Sequence, residues 1–122
     1  MDWTPVIEWF GYRSGFHDAE VVSIDLRRRP EPSRISLHAW HMTSEVDEKG
    51  CFRLERHALV TFTLTDIVEQ LLEEWNHQNV LMGLVITEVP EGYRMELDST
   101  FGVGGHFIAR NISVSVEAWR KP

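Results

Sequence analysis

The stretch Gly15-Phe16-His17-Asp18-Ala19-Glu20-Val21, together with Trp75-Asn76-His77-Gln78-Asn79-Val80-Leu81, decides the fold of this chain. Each stretch leads from a cluster of polar side chains directly into an apolar segment of β type. Buried polar groups cost free energy unless they find hydrogen-bond partners, so such clusters usually have a defined structural role. We therefore predict a structural motif formed by the polar residues of both stretches: His17, Asp18, Glu20, Asn76, His77 and Asn79.

Outward from the first stretch, the sequence alternates apolar and polar side chains, as half-buried strands do. The first predicted strand covers residues 19–28, and its apolar face is Val22, Ile24 and Leu26. Two prolines between residues 29 and 33 remove backbone donors and predict a turn. Residues 34–42 then alternate again, with Ile35, Leu37 and Ala39 on one face. The pattern predicts a hairpin.

The second half of the chain predicts further strands. A polar segment over residues 43–50 indicates a loop, and residues 51–64 predict one or two strands in which Leu59, Thr61 and Thr63 oppose Val60, Phe62 and Leu64. The apolar run Val80 to Val89 is typical of a central strand covered on both faces. A turn at Pro90-Glu91-Gly92 predicts a hairpin with residues 93–97, and residues 106–118 predict a final antiparallel strand.

Two helices are predicted. Thr4-Pro5 resembles an N-cap followed by a first-turn proline, which opens a short helix that Gly11 ends. From Asp66 to Trp75 the apolar residues have the spacing of one helical stripe, and Asp66 with Glu69 fits a capping box. This segment adjoins β-rich sequence on both sides, so a tertiary override into a strand is the alternative.

These elements predict the fold class. We expect an α+β protein with a curved, mainly antiparallel sheet of about six strands, one prominent helix and a short N-terminal helix. The 122 residues suit a single domain over residues 1–122, and the 43% hydrophobic content supplies a packed interior.

The net charge of -7 is concentrated in one window of the chain. Residues 66–98 hold eight acidic residues and a single base, Arg94, whereas the rest of the chain is balanced. The overall sign disfavours nucleic acid as a partner. A solvated helix face with polar strand positions is one interpretation, and a docking surface for a basic partner is the other.

The composition also bears on the compartment. The single Cys51 excludes an internal disulfide, the N-terminal residues have no basic or apolar leader pattern, and no stretch approaches the ~18 apolar residues that span a bilayer. We therefore expect a cytoplasmic protein without a membrane role.

Six histidines raise the question of a metal site or a catalytic site. His38 and His41 are three residues apart on a predicted strand and point to opposite faces, so we predict no metal site and no cofactor. His17, Asp18 and Glu20 have the chemistry of a general acid and base, but the sequence beside them supplies no nucleophile. A small hydrolase or ligand-binding domain that uses these residues, with His77, is the alternative to a structural role.

Three motifs together resemble immunity protein family fifty of bacterial polymorphic-toxin systems. They are Phe16-His17-Asp18-Ala19-Glu20-Val21, Asn76-His77-Gln78-Asn79-Val80-Leu81, and Phe101-Gly102-Val103-Gly104-Gly105 leading into residues 112–116. The resemblance covers the chain from about Gly15 to Val116. Related small bacterial domains of unknown function share the His-Asp-Ala/Ser-Glu entry into a first strand.

The resemblance implies a cytoplasmic α+β protein without catalysis that binds a cognate toxin domain and blocks it. Many delivered toxins are basic nucleases, which would suit the local acidity. The family offers no binding residues to transfer, so charge and exposure select the partner-binding candidates: Glu69, Glu73, Glu74, Glu88, Glu91 and Glu96. A homodimer that pairs an exposed strand edge is a third interpretation.

Overall fold

The chain forms a closed antiparallel β-barrel with one short helix. The computed structural model describes residues 1–46 and 52–120, with side chains over 1–41 and 56–120. Its strands follow one another around the barrel in the order β1-β2-β3-β6-β5-β4. The elements are α1 Thr4–Phe10, β1 Glu20–Asp25, β2 Ser33–Val46, β3 Phe52–Glu73, β4 Val80–Val89, β5 Gly92–Phe101 and β6 Gly104–Ala118.

Six antiparallel strands and a short N-terminal helix are therefore confirmed. The sheet is curved, as expected, and it closes on itself to form a barrel. Within the described residues, no helix is long and apolar enough to cross a membrane.

The prominent helix predicted from Asp66 to Trp75 is wrong. Residues 66–73 continue β3, which pairs with β6 as far as Glu73↔Gly104. Asp66 has a left-handed φ of 54°, which is no helix cap, and a bulge between Ile67 and Glu69 shifts the alternation. An isolated helix of this length is marginal in water, and a continuous ladder along β6 satisfies the same backbone groups. The tertiary override thus decided this segment.

The inward faces of β2, β3 and β6 agree with the predicted alternation. The predicted inward residues Ile35, Leu37 and Ala39 are buried, as are Val60, Phe62 and Leu64. The loop expected over residues 43–50 is wrong in part, because β2 continues through Val46. Residues 47–50 of that loop, and Cys51, lie outside the described residues.

Two other strands differ from their predictions. In β1 a bulge between Val21 and Ser23 shifts the register, so Val21 is buried while Val22 and Leu26 are exposed. In β4, Met82 and Val85 are exposed, so this strand is covered on one face only. An antiparallel barrel wall has one wet face, which is why an almost continuous apolar run does not require burial on both sides.

The core fills the barrel and is rich in aromatic side chains. The Phe16 ring meets Phe62 edge-on at 5.8 Å between centroids, and Trp3 meets Phe62 in the same manner at 6.0 Å. Helix α1 packs against β6 and β3 and adds Val6 and Phe10 to this core. Burial of the apolar residues on α1 holds the helix against the barrel wall.

Candidate functional site

The two polar stretches that open the sequence analysis meet where the barrel closes. We call residues 16–21 and 76–81 the seam. Here β1 and β4 share the register pair Glu20↔Val80. The Leu81 amide donates to the Ala19 carbonyl at 2.9 Å, and the Asp18 amide donates to the Leu81 carbonyl at 2.9 Å. The seam is short, so its side chains matter for closure.

His17 and Asp18 lie on an exposed turn of the seam. The His17 side chain is 70% exposed, its Nδ1 lies 2.9 Å from the Met82 carbonyl oxygen, and its Nε2 lies 3.5 Å from Asp18 Oδ1. Asp18 and Phe16 both have left-handed φ angles, 66° and 60°. The Phe16 amide donates to Ser14 Oγ at 3.0 Å. The polar cluster thus shapes a tight turn that leads into β1.

Asn79 is the buried polar residue of the seam, with 2% exposure. Its Oδ1 accepts from the Asn76 amide at 3.0 Å and from the Val103 amide at 2.9 Å. Its Nδ2 donates to the Asn76 carbonyl at 2.9 Å. One side chain therefore joins the segment before β4 to the turn between β5 and β6. Both the oxygen and the nitrogen of this buried amide thus have hydrogen-bond partners, which replace most of its lost hydration.

The glycine stretch beside Asn79 is shaped by the same contacts. Gly102 has a φ of 82°, and a Cβ placed on it would lie 2.4 Å from the Gln78 carbonyl oxygen. His77 lies on the outer side of this junction. Its amide donates to Asn76 Oδ1 at 2.8 Å, and its ring meets Phe101 edge-on. His77 and His17 therefore bond to different neighbours.

A second candidate site is the outer surface of β3, β6, β5 and β4. Inward Met95, Leu97 and Phe107 are buried, so the residues between them point outward. The register aligns Leu71 with His106, His106 with Glu96, and Glu96 with Val85. We call this surface the acidic face, and it consists of Glu69, Leu71, Glu73, Val85, Arg94, Glu96, Asp98 and His106.

Carboxylates outnumber the basic side chains on the acidic face, and two of them lie close to a basic partner. Glu69 Oε2 lies 2.7 Å from His106 Nε2, across the β3–β6 ladder. Arg94 and Glu96 approach to 3.9 Å on β5. Four carboxylates thus face one guanidinium and one imidazole. Two apolar side chains, Leu71 at 49% and Val85 at 47% exposure, lie among them.

The structure brings three of the six predicted partner-binding glutamates together: Glu69, Glu73 and Glu96. The other three lie elsewhere. Glu74 follows the end of β3, Glu91 is in the β4–β5 turn, and Glu88 borders a cavity of about 220 Å³ beside the N-terminus. His106 and Asp98 also belong to the acidic face, although neither is among the partner-binding residues predicted from the sequence. Their strands were identified, but only the register between strands places them beside Glu96.

A cluster of histidine and tryptophan rings occupies another part of the outer wall. His38 Nε2 lies 3.0 Å from His57 Nδ1, and Trp119 stacks on His38 at 3.9 Å with 10° between the planes. The Trp40 ring meets His38 edge-on at 4.9 Å. Burial lowers the pKa of His38, and the neighbouring His57 lowers it further. The partner of His38 is therefore His57 on the adjacent strand and not His41 on its own strand.

Over the described part of the chain, no group of three His, Cys, Asp or Glu side chains is placed to hold a metal ion. Comparison of the chain with family models, with curated proteins and with solved structures finds no match. The geometry of the seam and of the outer wall is therefore the basis for a functional proposal.

Proposed function

We propose that this protein is a non-catalytic binding domain that docks a basic partner protein on the acidic face. The observation that carries the proposal is the position of Glu69 on β3 and of Glu96 and Asp98 on β5, the two strands that flank β6 on one outer surface. Four of the acidic residues between positions 66 and 98 thus lie on one continuous face, where they attract the same partner.

The composition of the acidic face supports a protein as the partner. Exposed Leu71 and Val85 give apolar area to bury at the centre, and the carboxylates around them give a polar rim. A carboxylate-rich surface also accelerates encounter with a basic protein and disfavours acidic competitors.

The resemblance stated from the sequence motifs supplies the class of partner. An immunity protein binds a toxin domain and blocks it, and a basic toxin domain has the charge that this face requires. We therefore propose toxin neutralisation as the biological role, in the cytoplasm where a delivered toxin would act.

The geometry gives the hydrolase hypothesis no support. His17 is largely exposed and lies against a backbone carbonyl, while the His77 amide and ring are both directed to Asn76 Oδ1. A general base has to lie within reach of the proton that it removes and of a nucleophile. These hydrogen bonds support a structural role for the polar cluster instead.

The test uses a toxin domain encoded beside the gene for this chain. In the variant Glu69→Lys/Glu96→Lys we expect the affinity for the toxin domain to fall about tenfold or more, because two attractive charge pairs become repulsive. Protection of cells that express the toxin should fall in parallel. The matched control Glu8→Lys/Glu117→Lys changes the net charge equally at exposed positions outside the acidic face.

Salt dependence provides the second measurement. Affinity of the unmodified protein should decrease as ionic strength rises, and the decrease should be smaller for Glu69→Lys/Glu96→Lys. Equal affinities for the acidic-face variant and its control, or an affinity independent of salt, would overturn the proposal.

A further inference from the structure

Strand β3 is longer than the strand that covers one of its sides. The pairing of β2 with β3 ends at Ser33↔Leu64, whereas the pairing of β6 with β3 continues to Glu73↔Gly104. Among the residues that the structure describes, residues 65–73 of β3 therefore have a strand partner on the β6 side only, and we call their opposite side the free edge. A free edge presents unpaired backbone donors and acceptors, which an extended chain satisfies by adding as a strand.

Two cavities lie along the free edge. The first, of about 330 Å³, lies between Leu64 and residues 66–70 of β3 on one side and Arg27 to Arg29 with Glu31 on the other. The second, of about 300 Å³, is lined by apolar side chains: Ile24, Leu26, Leu72, Trp75 and Val103. Trp75 at 54% and Leu26 at 42% exposure lie together in this lining, and grouped exposed apolar area is typical of a surface that a partner covers.

The charge beside the free edge is distributed unevenly. Arg27 Nε lies 2.9 Å from Asp25 Oδ1, and Arg27 also approaches Glu31 at 3.9 Å. In the part of the chain that the structure describes, Arg28 and Arg29 have no carboxylate within 4.0 Å. Two guanidinium groups at the Leu64 end of the edge are therefore available to carboxylates of a guest segment.

A second copy of this chain is a poor guest. Antiparallel pairing of two free edges would place the acidic residues Asp66, Glu69 and Glu73 of both copies in one ladder. Like charges opposite each other across a ladder are destabilising. A guest with basic residues beside Glu69 and Glu73 has the complementary pattern.

We propose that the free edge receives an extended segment of the partner protein as an added antiparallel strand. Guest residues pair along Glu69 to Glu73, beyond the bulge, with basic side chains on the outer side and apolar ones towards Leu72 and Trp75. The acidic C-terminal end of the guest then reaches Arg28 and Arg29. The inference rests on the proposed function in one respect, that the guest belongs to the protein docked on the acidic face.

The test uses the full chain and a synthetic peptide, acetylated, of alternating leucine and lysine residues that ends in two aspartates. Calorimetry should show saturable binding. The variant Arg28→Glu/Arg29→Glu should weaken binding about tenfold, because two attractive pairs become repulsive. The control Arg110→Glu/Arg120→Glu makes the same charge change at exposed positions that line neither cavity, and it should bind as the unmodified protein does.

Backbone methylation distinguishes strand addition from simple charge attraction. Alternate residues of an added strand direct their N–H groups to β3, so one of two peptides with N-methyl groups at alternating positions should lose binding while the other keeps it. Equal behaviour of the two methylated peptides would overturn the inference, as would undiminished binding by Arg28→Glu/Arg29→Glu. A dimer of this chain that excludes the peptide would also overturn it, since a second copy would then be the guest.

Failure of this inference differs from failure of the proposed function. Glu96 lies on β5, two strands away from the free edge, so Glu96→Lys should leave peptide binding unchanged and weaken docking of the partner protein. If the peptide does not bind and Glu96→Lys still weakens docking, only the added strand is refuted. If the peptide binds and Glu96→Lys has no effect on docking, only the acidic face is refuted.

Discussion

The seam and the free edge are two places where the barrel has little strand pairing, and they differ in what takes its place. At the seam, β1 and β4 share a single register pair, yet buried Asn79 and the turn at His17 fix the two stretches by bonds to backbone groups. At the free edge, residues 65–73 of β3 have no strand of the described chain on the side opposite β6. At the seam, side-chain hydrogen bonds take the place of missing ladder bonds and close the barrel. At the free edge no such bonds are present among the described residues, so the strand remains open to a partner.

This comparison separates stability from binding. Changes at the seam should alter the free energy of unfolding, because they leave buried groups without partners. Changes at exposed side chains of the free edge, such as Val68, should leave that free energy nearly constant, because these side chains bury little area in the folded chain.

The largest effect is expected from Asn79→Ala. The substitution removes the partner of the Asn76 and Val103 amides and of the Asn76 carbonyl, and should lower the free energy of unfolding by about 3 kcal/mol. Urea denaturation measures this loss. Asn111→Ala, at an exposed asparagine of β6, is the matched control, and a loss no greater than that of the control would contradict the role given to Asn79.

The next effect is expected from Gly102→Ala. Its left-handed φ of 82° and the carbonyl oxygen 2.4 Å from the Cβ position make alanine strained, and the loss should be about 2 kcal/mol. Gly15→Ala is the control at the residue that precedes the first stretch of the seam, because a Cβ there meets nothing within 4 Å. Equal melting temperatures for the two variants would show that the contact of Gly102 with the seam does not require glycine.

A smaller effect is expected from pH at His38, which pairs in register with Glu20 of the seam. Burial lowers the pKa of His38 in the folded state, so the unfolded chain binds more protons below the ordinary value of 6.5. The contribution of His38 to the free energy of unfolding is therefore fully present above pH 6.5. It is lost as the pH falls from 6.5 through the lowered pKa of the folded state.

Melting temperatures between about pH 8 and about pH 5 measure this dependence, since histidine titrates in that range. In His38→Gln the decrease towards low pH should be smaller than in the unmodified protein, whereas His77→Gln serves as the control at an exposed histidine. If the melting temperature of His38→Gln falls towards low pH as much as that of the unmodified protein, groups other than His38 cause the pH dependence.

The smallest effect is expected at the free edge. Val68→Lys replaces an exposed side chain of the bulge, so the free energy of unfolding should change by no more than about 0.5 kcal/mol. The same variant should weaken binding of the peptide described above, because it adds a positive charge beside a lysine-rich guest. A large loss of stability would show that residues 65–73 are covered within the monomer.

Part of the fold could be predicted from the sequence because alternation is a local property. The inward residues Ile35, Leu37, Val60 and Phe62 follow a period of two within single strands, and the short N-terminal helix has its own proline and glycine signals. The importance of Asn79 also follows from a local fact, that a polar amide stands directly before an apolar strand.

The tertiary structure alone decided the rest. Asp66 to Glu73 fits a helical period on its own, and only the ladder with β6 and the bulge after Ile67 make it a strand. The ladders of β6 with β3 and β5 bring His106 beside both Glu69 and Glu96. Among the described residues, residues 65–73 of β3 have no strand on the side opposite β6, because the pairing with β2 ends at Leu64. Strand register, barrel closure and free edges depend on contacts between residues far apart in the chain. The spacing of apolar residues within a single strand therefore does not predict them.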